Sequence, residues 1–137
     1  MHADAAAVGA VRIAHVALWT DDLDAAAAFW TQYFGACVGA PYHSRRRPGF
    51  VSRFVQLPGG GAGIELMAGP WVAPAAGGEQ AGWDHIAVSL GDAQAVDRLA
   101  ARCGTDGCLV SAPRTTGDGF YEAVVAMPGG ARVEITS

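Results

Sequence analysis

IAHVAL at residues 13–18 and WDHIAV at residues 83–88 are two versions of one pattern, in which a histidine enters an alternating apolar stretch. The two histidines stand 70 positions apart, and so do two Pro-Gly-Gly triplets at 58–60 and 128–130. Landmarks that keep one offset over half of a chain are the signature of an internal repeat. The sequence therefore predicts two copies of a single structural unit.

Each copy has the same predicted order of elements, βαβββ. An acidic residue opens each helix and a glycine closes it, as is usual for helix caps. The helices are predicted from Asp21-Asp22 to Gly35 and from Asp92 to Gly104. The strands are predicted at about 12–19, 36–42, 50–57 and 63–67 in the first copy, and at 83–90, 107–112, 119–127 and 131–136 in the second.

Length and composition exclude several classes of protein. The chain has 137 residues, 51% of them hydrophobic and 16% charged, so we expect one folded domain over 11–137 after a leader at 1–10. Within it we expect modules at 11–68 and 82–137, joined by a linker at 69–81. A net charge of −4 argues against nucleic acid, and no apolar run is long enough for a membrane span. Three cysteines without CxxC spacing favour the cytoplasm.

Strand alternation places four ionisable side chains on one face of the predicted sheet. The aliphatic residues that follow each histidine should pack under the helix, which turns His15 and His85 to the other face. Glu65 and Glu134, 69 positions apart and flanked by aliphatic residues, point the same way. Two imidazoles and two carboxylates form a charge-neutral set for a divalent first-row metal ion. The alternative is that these are ordinary half-buried histidines and exposed glutamates, but the repeat favours a metal site.

The order His15, Glu65, His85, Glu134 across paired βαβββ modules resembles the vicinal oxygen chelate superfamily. Members of that superfamily include glyoxalase I (lactoylglutathione lyase), methylmalonyl-CoA epimerase, extradiol dioxygenases and the fosfomycin- and bleomycin-resistance proteins. The resemblance covers residues 12–137. It implies that the four side chains are the metal ligands, with Ni, Zn, Co, Mn or Fe as the candidate ions.

Three stretches are similar to the glyoxalase-like branch: HVALWTDDL at 15–23, PRTTGDGF at 113–120 and GARVEI at 130–135. The resemblance implies an α+β fold in which two tandem βαβββ modules form a U-shaped, eight-stranded half-barrel around the metal. It also implies that modules pair within one chain or between chains, and we expect a homodimer.

The activity implied by the resemblance is that of a metal-dependent lyase or isomerase. Such an enzyme moves a proton next to a carbonyl of a small substrate, through an enediolate that the metal stabilises. Glu134 is the expected catalytic base, and Glu122 is a second carboxylate candidate for which a surface role is favoured.

One position departs from the family pattern. Bacterial glyoxalase I has an arginine four residues after the first histidine, where it holds the glutathione carboxylate, and this chain has Trp19 there. Glutathione is therefore a poor candidate substrate. Arg114, Arg53 or the run Arg45–Arg47 could hold an anionic substrate end, although a solvated loop is favoured for the run. The expected substrate-binding residues are Trp19, Phe50, Phe54, Arg114 and Tyr121.

Two other functions compete with the enzyme. A protein of the bleomycin-resistance kind would sequester an apolar drug without metal or chemistry, and its cavity could use the aromatic residues Trp19, Trp71, Trp83, Phe50, Phe54 and Tyr121. A thiol transferase acting on an antibiotic is the other alternative. The complete set of four ligands favours the glyoxalase-like enzyme over both.

Overall fold

The computed structural model of the chain describes residues 9–137, so the expected leader lies outside the described residues up to position 8. Within 9–137, no helix combines the length and the apolar character needed to cross a bilayer.

Both predicted copies are present, each with one helix and its own sheet. The first module consists of β1 (His15–Trp19), α1 (Leu23–Phe34), β2 (Cys37–Val38), β3 (Tyr42–His43), β4 (Val51–Gln56) and β5 (Gly63–Ala68). The second consists of β6 (His85–Ser89), α2 (Ala93–Asp106), β7 (Leu109–Thr115), β8 (Tyr121–Ala126) and β9 (Arg132–Thr136).

The two sheets have matching topologies. The first runs β1-β5-β4-β2, with β3 also paired to β4, and the second runs β6-β9-β8-β7. The first and last strands of each module are parallel, and the register sets Ala17 opposite Glu65 and Ala87 opposite Glu134. The predicted α+β class with two βαβββ-like modules is therefore confirmed, and the repeat extends to the register of individual residues.

Several strand ends shift by a few residues, and the number of strands differs from the prediction at one segment. The segment expected as one strand over 36–42 forms two short strands, β2 and β3, both antiparallel to β4. Pro41 lies between them and lacks the N–H that would continue a ladder. The described part of the chain therefore has nine strands rather than eight.

The second helix continues past the predicted stop. Gly104 lies inside α2, and the left-handed residue that ends the helix is Gly107, with φ of 86°. Its N–H donates to the carbonyl of Cys103, and the N–H of Cys108 donates to the same carbonyl. Either glycine could end a helix, since glycine tolerates a left-handed φ, and the capping bonds form at the later one.

The other helix signals are confirmed. The side chains of Asp22 and Asp92 cap the two helices by accepting hydrogen bonds from backbone N–H groups three residues on. The buried face of α2 consists of Val96, Leu99, Ala100 and Cys103. The first helix buries Ala26, Ala27, Phe29 and Trp30 against its sheet.

Contacts of α1 join the two modules. The buried indole of Trp30 donates to the sulfur of Met127 at 3.3 Å, although the two residues are 97 positions apart. The hydroxyl of Tyr33 donates to Asp106 at 2.6 Å, and the guanidinium of Arg102 lies 5.0 Å from the Tyr33 ring. These contacts join the helix-covered sides of the two modules. Among the described elements no helix covers the opposite face of each sheet, which carries His15 or His85.

Candidate functional site

The helix-free face of each sheet carries one histidine and one glutamate on neighbouring parallel strands. In the first module Nε2 of His15 lies 3.6 Å from Oε1 of Glu65. In the second module Nε2 of His85 lies 3.3 Å from Oε2 of Glu134. Strand alternation predicted this placement, and the structure shows that the two pairs are equivalent in the repeat.

Each pair fits two adjacent positions of a metal ion. Imidazole nitrogens and carboxylate oxygens bind first-row divalent ions at about 2.1 Å, which puts ligands at right angles roughly 3.0 Å apart. The N–O separations in the two pairs, 3.6 and 3.3 Å, are close to that value. A nitrogen and an oxygen donor on an uncovered face are therefore suitable for half of a four-ligand set.

The two pairs remain separate within the chain. Among residues 9–137, no three histidine, cysteine, aspartate or glutamate side chains come together as a metal site. His15 and His85 both line a cavity of about 630 Å³ between β1 and β6, whereas Glu65 and Glu134 are not among its lining residues. The described chain thus contains two half-sites.

Asp84 orients the histidine of the second half-site. Oδ2 of Asp84 lies 2.7 Å from Nδ1 of His85, and this contact lowers the pKa of the Asp84 carboxyl. When Nδ1–H of a histidine donates to a carboxylate, Nε2 carries no proton and its lone pair is free, here on the side of Glu134. This is the tautomer that binds a metal through Nε2. The equivalent position of the first module is Ala14, so the two half-sites differ here.

A second carboxylate lies beside Glu134. Burial raises the pKa of the Glu134 carboxyl, and the neighbouring Glu122 raises it further, against the opposing effect of His85. Glu122 is on β8, in register with Thr136 of β9 and Arg114 of β7. The face of Glu122 could not be assigned from the sequence, and the structure places it next to Glu134.

The expected substrate-binding aromatics fall on two different sides of the fold. Phe54 meets the imidazole of His15 edge-on, with ring centroids 5.5 Å apart, and Phe50 meets Trp19 in the same way at 6.0 Å. These three aromatics belong to the uncovered face of the first module. Tyr121 instead donates its hydroxyl to Asp97 of α2, which places it on the helix side.

The arginines named from the sequence also have different surroundings. Arg53 donates to the carbonyl of Gly39 at 2.8 Å. The run Arg45–Arg47 is exposed in a loop, as expected, but the guanidinium carbon of Arg47 lies 4.1 Å from the ring centroid of Trp71 and 5.6 Å from that of Trp19. The sequence reasoning missed this contact and the role of Asp84, although Asp84 directly precedes His85.

Solved structures with this fold include glyoxalases and a fosfomycin resistance protein. A glyoxylase/bleomycin resistance protein/dioxygenase domain from Frankia sp. EAN1pec superimposes with a TM-score of 0.79 at 18% identity, covering 93% of this chain and 92% of that one. The trypanothione-dependent glyoxalase I of Leishmania major gives 0.72 at 21% identity, with 93% and 87% covered. The fosfomycin resistance protein FosX of Listeria monocytogenes, in complex with Mn(II) and sulfate, gives 0.67 at 17% identity, with 91% and 90% covered.

Sequence comparison identifies the family. No curated protein sequence gave a significant match to the chain. The family model of the Glyoxalase/Bleomycin resistance protein/Dioxygenase superfamily matches residues 12–135, nearly the whole chain and both modules. With the repeated βαβββ topology, this match shows that the chain belongs to the Glyoxalase/Bleomycin resistance protein/Dioxygenase superfamily.

Proposed function

We propose that the chain is a metal-dependent lyase or isomerase of the glyoxalase type, which moves a proton next to a carbonyl of a small substrate. The observation that supports this most directly is the pair of equivalent half-sites, His15 with Glu65 and His85 with Glu134. A bound divalent ion would polarise the substrate oxygens and stabilise the negative charge that develops when the C–H proton leaves.

The remaining chemistry falls to side chains of this chain. Glu134 is the base that takes the C–H proton, and Glu122 beside it is placed to exchange that proton with solvent. Opposite each glutamate on the first strand of its module stands an alanine, Ala17 or Ala87. A methyl group leaves open space above the carboxylate, where the reacting carbons of a substrate can lie.

We further propose that the two half-sites meet between subunits of a homodimer. The pairs do not converge among the described residues of one chain. Large apolar side chains lie exposed just before the first strand of each module: Ile13 is 68% exposed and Trp83 is 89% exposed. Exposed apolar surface beside incomplete sites is typical of a surface that another chain covers.

Metal content tests the first proposal. Protein purified without chelator should carry a stoichiometric divalent ion, and His15→Ala and His85→Ala should each lose it. His43→Ala is the matched control, since His43 lies on β3 outside both half-sites. A metal-free wild type that binds an aromatic drug tightly would contradict the proposal and favour the sequestering protein instead.

A subunit-mixing experiment tests the shared site. If ligands come from two chains, a dimer of one His15→Ala and one His85→Ala chain has one site with both changes and one intact site. Random mixing of the two metal-free variants should therefore restore about one quarter of the wild-type metal content. If metal content is not restored although tagged chains show that subunits exchange, both half-sites that bind an ion belong to the same chain.

A further inference from the structure

A cluster of two indole side chains and one arginine lies at the C-terminal end of β1, the strand that carries His15. Trp19 and Trp71 meet edge-on, with ring centroids 6.3 Å apart, and the guanidinium of Arg47 lies against both rings. We refer to Trp19, Arg47 and Trp71 as the indole–arginine cluster. Its members come from β1, from the loop before β4 and from the linker after β5, so the cluster depends on the tertiary fold.

The backbone around the cluster is closely fitted to it. A Cβ on Gly69 would lie only 2.5 Å from Cζ2 of Trp71, so the ring occupies space that any other residue at position 69 would fill. Gly49, with φ of 91°, packs against Pro70 and against the same ring. These glycines fix where the Trp71 ring can lie.

The loop that carries Arg47 is held by hydrogen bonds at both sides. The N–H of Arg47 donates to Oγ of Ser44, and its carbonyl accepts from the N–H of Phe50, both at 3.0 Å. The guanidinium is therefore presented from an ordered turn. Contact with both indole rings restricts the side chain further, which lowers the entropy lost when it binds a ligand.

The charge of Arg47 has no partner in the described chain. No carboxylate among residues 9–137 lies within ion-pair distance of it. Arg53 and Arg102, by contrast, donate to backbone carbonyls. A stacked guanidinium keeps its N–H edge free, and that planar edge matches the two oxygens of a carboxylate or phosphoryl group.

The cluster shares a face with the first half-site. His15, Ala17 and Trp19 alternate along β1 on the helix-free side. Trp19 is four residues beyond His15, which corresponds to about 13 Å along a strand. Between the two ends lie apolar or small side chains, Ala17 on β1 and Met67 opposite Trp19 on β5.

We propose that the indole–arginine cluster is a binding site for the oxyanion end of the substrate, with Arg47 as the anion-binding residue. The proposal rests on the proposed function, because the carbonyl end of the same molecule would lie at the His15–Glu65 pair. The substrate class is a small organic acid or phosphate ester with an apolar body roughly 10 Å long between its anionic group and its carbonyl. Trp19 and Arg47 together then discriminate charged from neutral carbonyl compounds.

Calorimetric titration with simple probes tests the site. The probes are phenylacetate, phenyl phosphate and the neutral phenylacetamide, each added to the purified protein with and without EDTA. Because a charge-assisted contact to arginine is made only by the anions, we expect them to bind at least about tenfold more tightly than the amide. The tighter of the two anions identifies the group as carboxylate or phosphoryl.

Variants separate this site from the metal half-sites. Arg47→Ala should abolish the preference for anions and Arg47→Lys should reduce it, since lysine lacks the planar edge. Gly69→Ala, which displaces the Trp71 ring, should weaken the preference for anions although Arg47 is intact. Arg46→Ala is the matched control and should bind like the wild type. Equal binding of the amide by wild type, or an anion preference that survives in Arg47→Ala, would overturn the proposal.

The same samples distinguish failure of this inference from failure of the proposed function. The metal content of Arg47→Ala and Gly69→Ala should equal that of wild type, because neither residue contacts a half-site. If the wild type as purified holds no metal but still prefers anions in EDTA, the proposed metal-dependent chemistry is wrong and the anion site is supported. If the wild type holds the expected metal but shows no preference for anions, the anion site is wrong and the proposed function is unaffected.

Discussion

Asp84 holds His85 by a contact of 2.7 Å between Oδ2 and Nδ1, and the repeat provides no such partner for His15. The two half-sites are therefore alike in their donor atoms and unlike in what supports them. Asp84 directly precedes β6 and is not part of the strand. Strand alternation, which would point its side chain to the face opposite that of His85, therefore does not apply to it. The second half-site is for this reason the more preorganised of the two.

Replacing Asp84 by alanine should weaken metal binding without removing any ligand. Loss of the group that orients a metal-binding histidine typically costs about 10- to 100-fold in affinity. The measurement is the dissociation constant of Zn²⁺ or Mn²⁺ in competition with a chelating dye. Glu79→Ala removes a carboxylate from the linker and should leave the constant unchanged. Equal constants for both variants would show that Asp84 does not position His85.

The contact between Trp30 and Met127 should contribute measurably to stability. Met127 is 1% exposed, so Met127→Ala should lower the free energy of unfolding by about 2–5 kcal/mol through the cavity it leaves. Met127→Leu nearly conserves volume but leaves the buried indole N–H without an acceptor, at a cost of about 1 kcal/mol. Urea unfolding at fixed protein concentration measures both changes.

A double-mutant cycle assigns that cost to the hydrogen bond. Trp30→Phe removes the N–H, and in that background Met127→Leu should cost less than it does in the wild type. An undiminished cost would mean that Met127 acts by packing alone.

The internal repeat made most of the fold predictable. Aliphatic residues beside His15, Glu65, His85 and Glu134 fixed which face each strand turns to its helix, and the structure agrees in both copies. Apolar burial dominates the choice of face, and it is encoded locally in the alternation of the strand.

The features that escaped prediction depend on contacts between distant segments or on degenerate local signals. Gly104 and Gly107 are equally good stops by sequence, and only the bonds to the carbonyl of Cys103 decide between them. The contact of the exposed Arg47 with Trp71 was not predictable because Trp71 is 24 positions away in a linker. The relative position of the two half-sites depends on how modules or chains assemble, which strand patterns do not encode.

The stability contributed by Tyr33 should decline at high pH. Its hydrogen bond to Asp106, followed by burial, raises the pKa of the Tyr33 hydroxyl above its usual value near 10. The unfolded chain then loses that proton before the folded chain does, so the stabilisation is complete below about pH 10 and falls as the pH rises further. Urea midpoints of wild type and Tyr33→Phe should therefore converge above about pH 10.

The control for this pH effect is Tyr42→Phe, which removes an exposed hydroxyl outside the contact between the modules. The difference between its midpoint and that of wild type should stay constant over the same range. A constant difference for Tyr33→Phe as well would show that the Asp106 contact does not hold the hydroxyl protonated.

The three cysteines should react with thiol reagents in a definite order. Burial, followed by the contact with Cys108, raises the pKa of the Cys103 thiol to about 12. Only about one thiol in ten thousand is then ionised at pH 8, and the side chain is fully buried as well. Cys37 is exposed, so alkylation of the native protein followed by peptide mass spectrometry should find Cys37 modified first. In Cys37→Ser the fast phase of alkylation should disappear, and urea should make Cys103 reactive. Rapid labelling of Cys103 in the native variant would contradict this, because it would mean that α2 separates from its sheet far more readily than its buried packing implies.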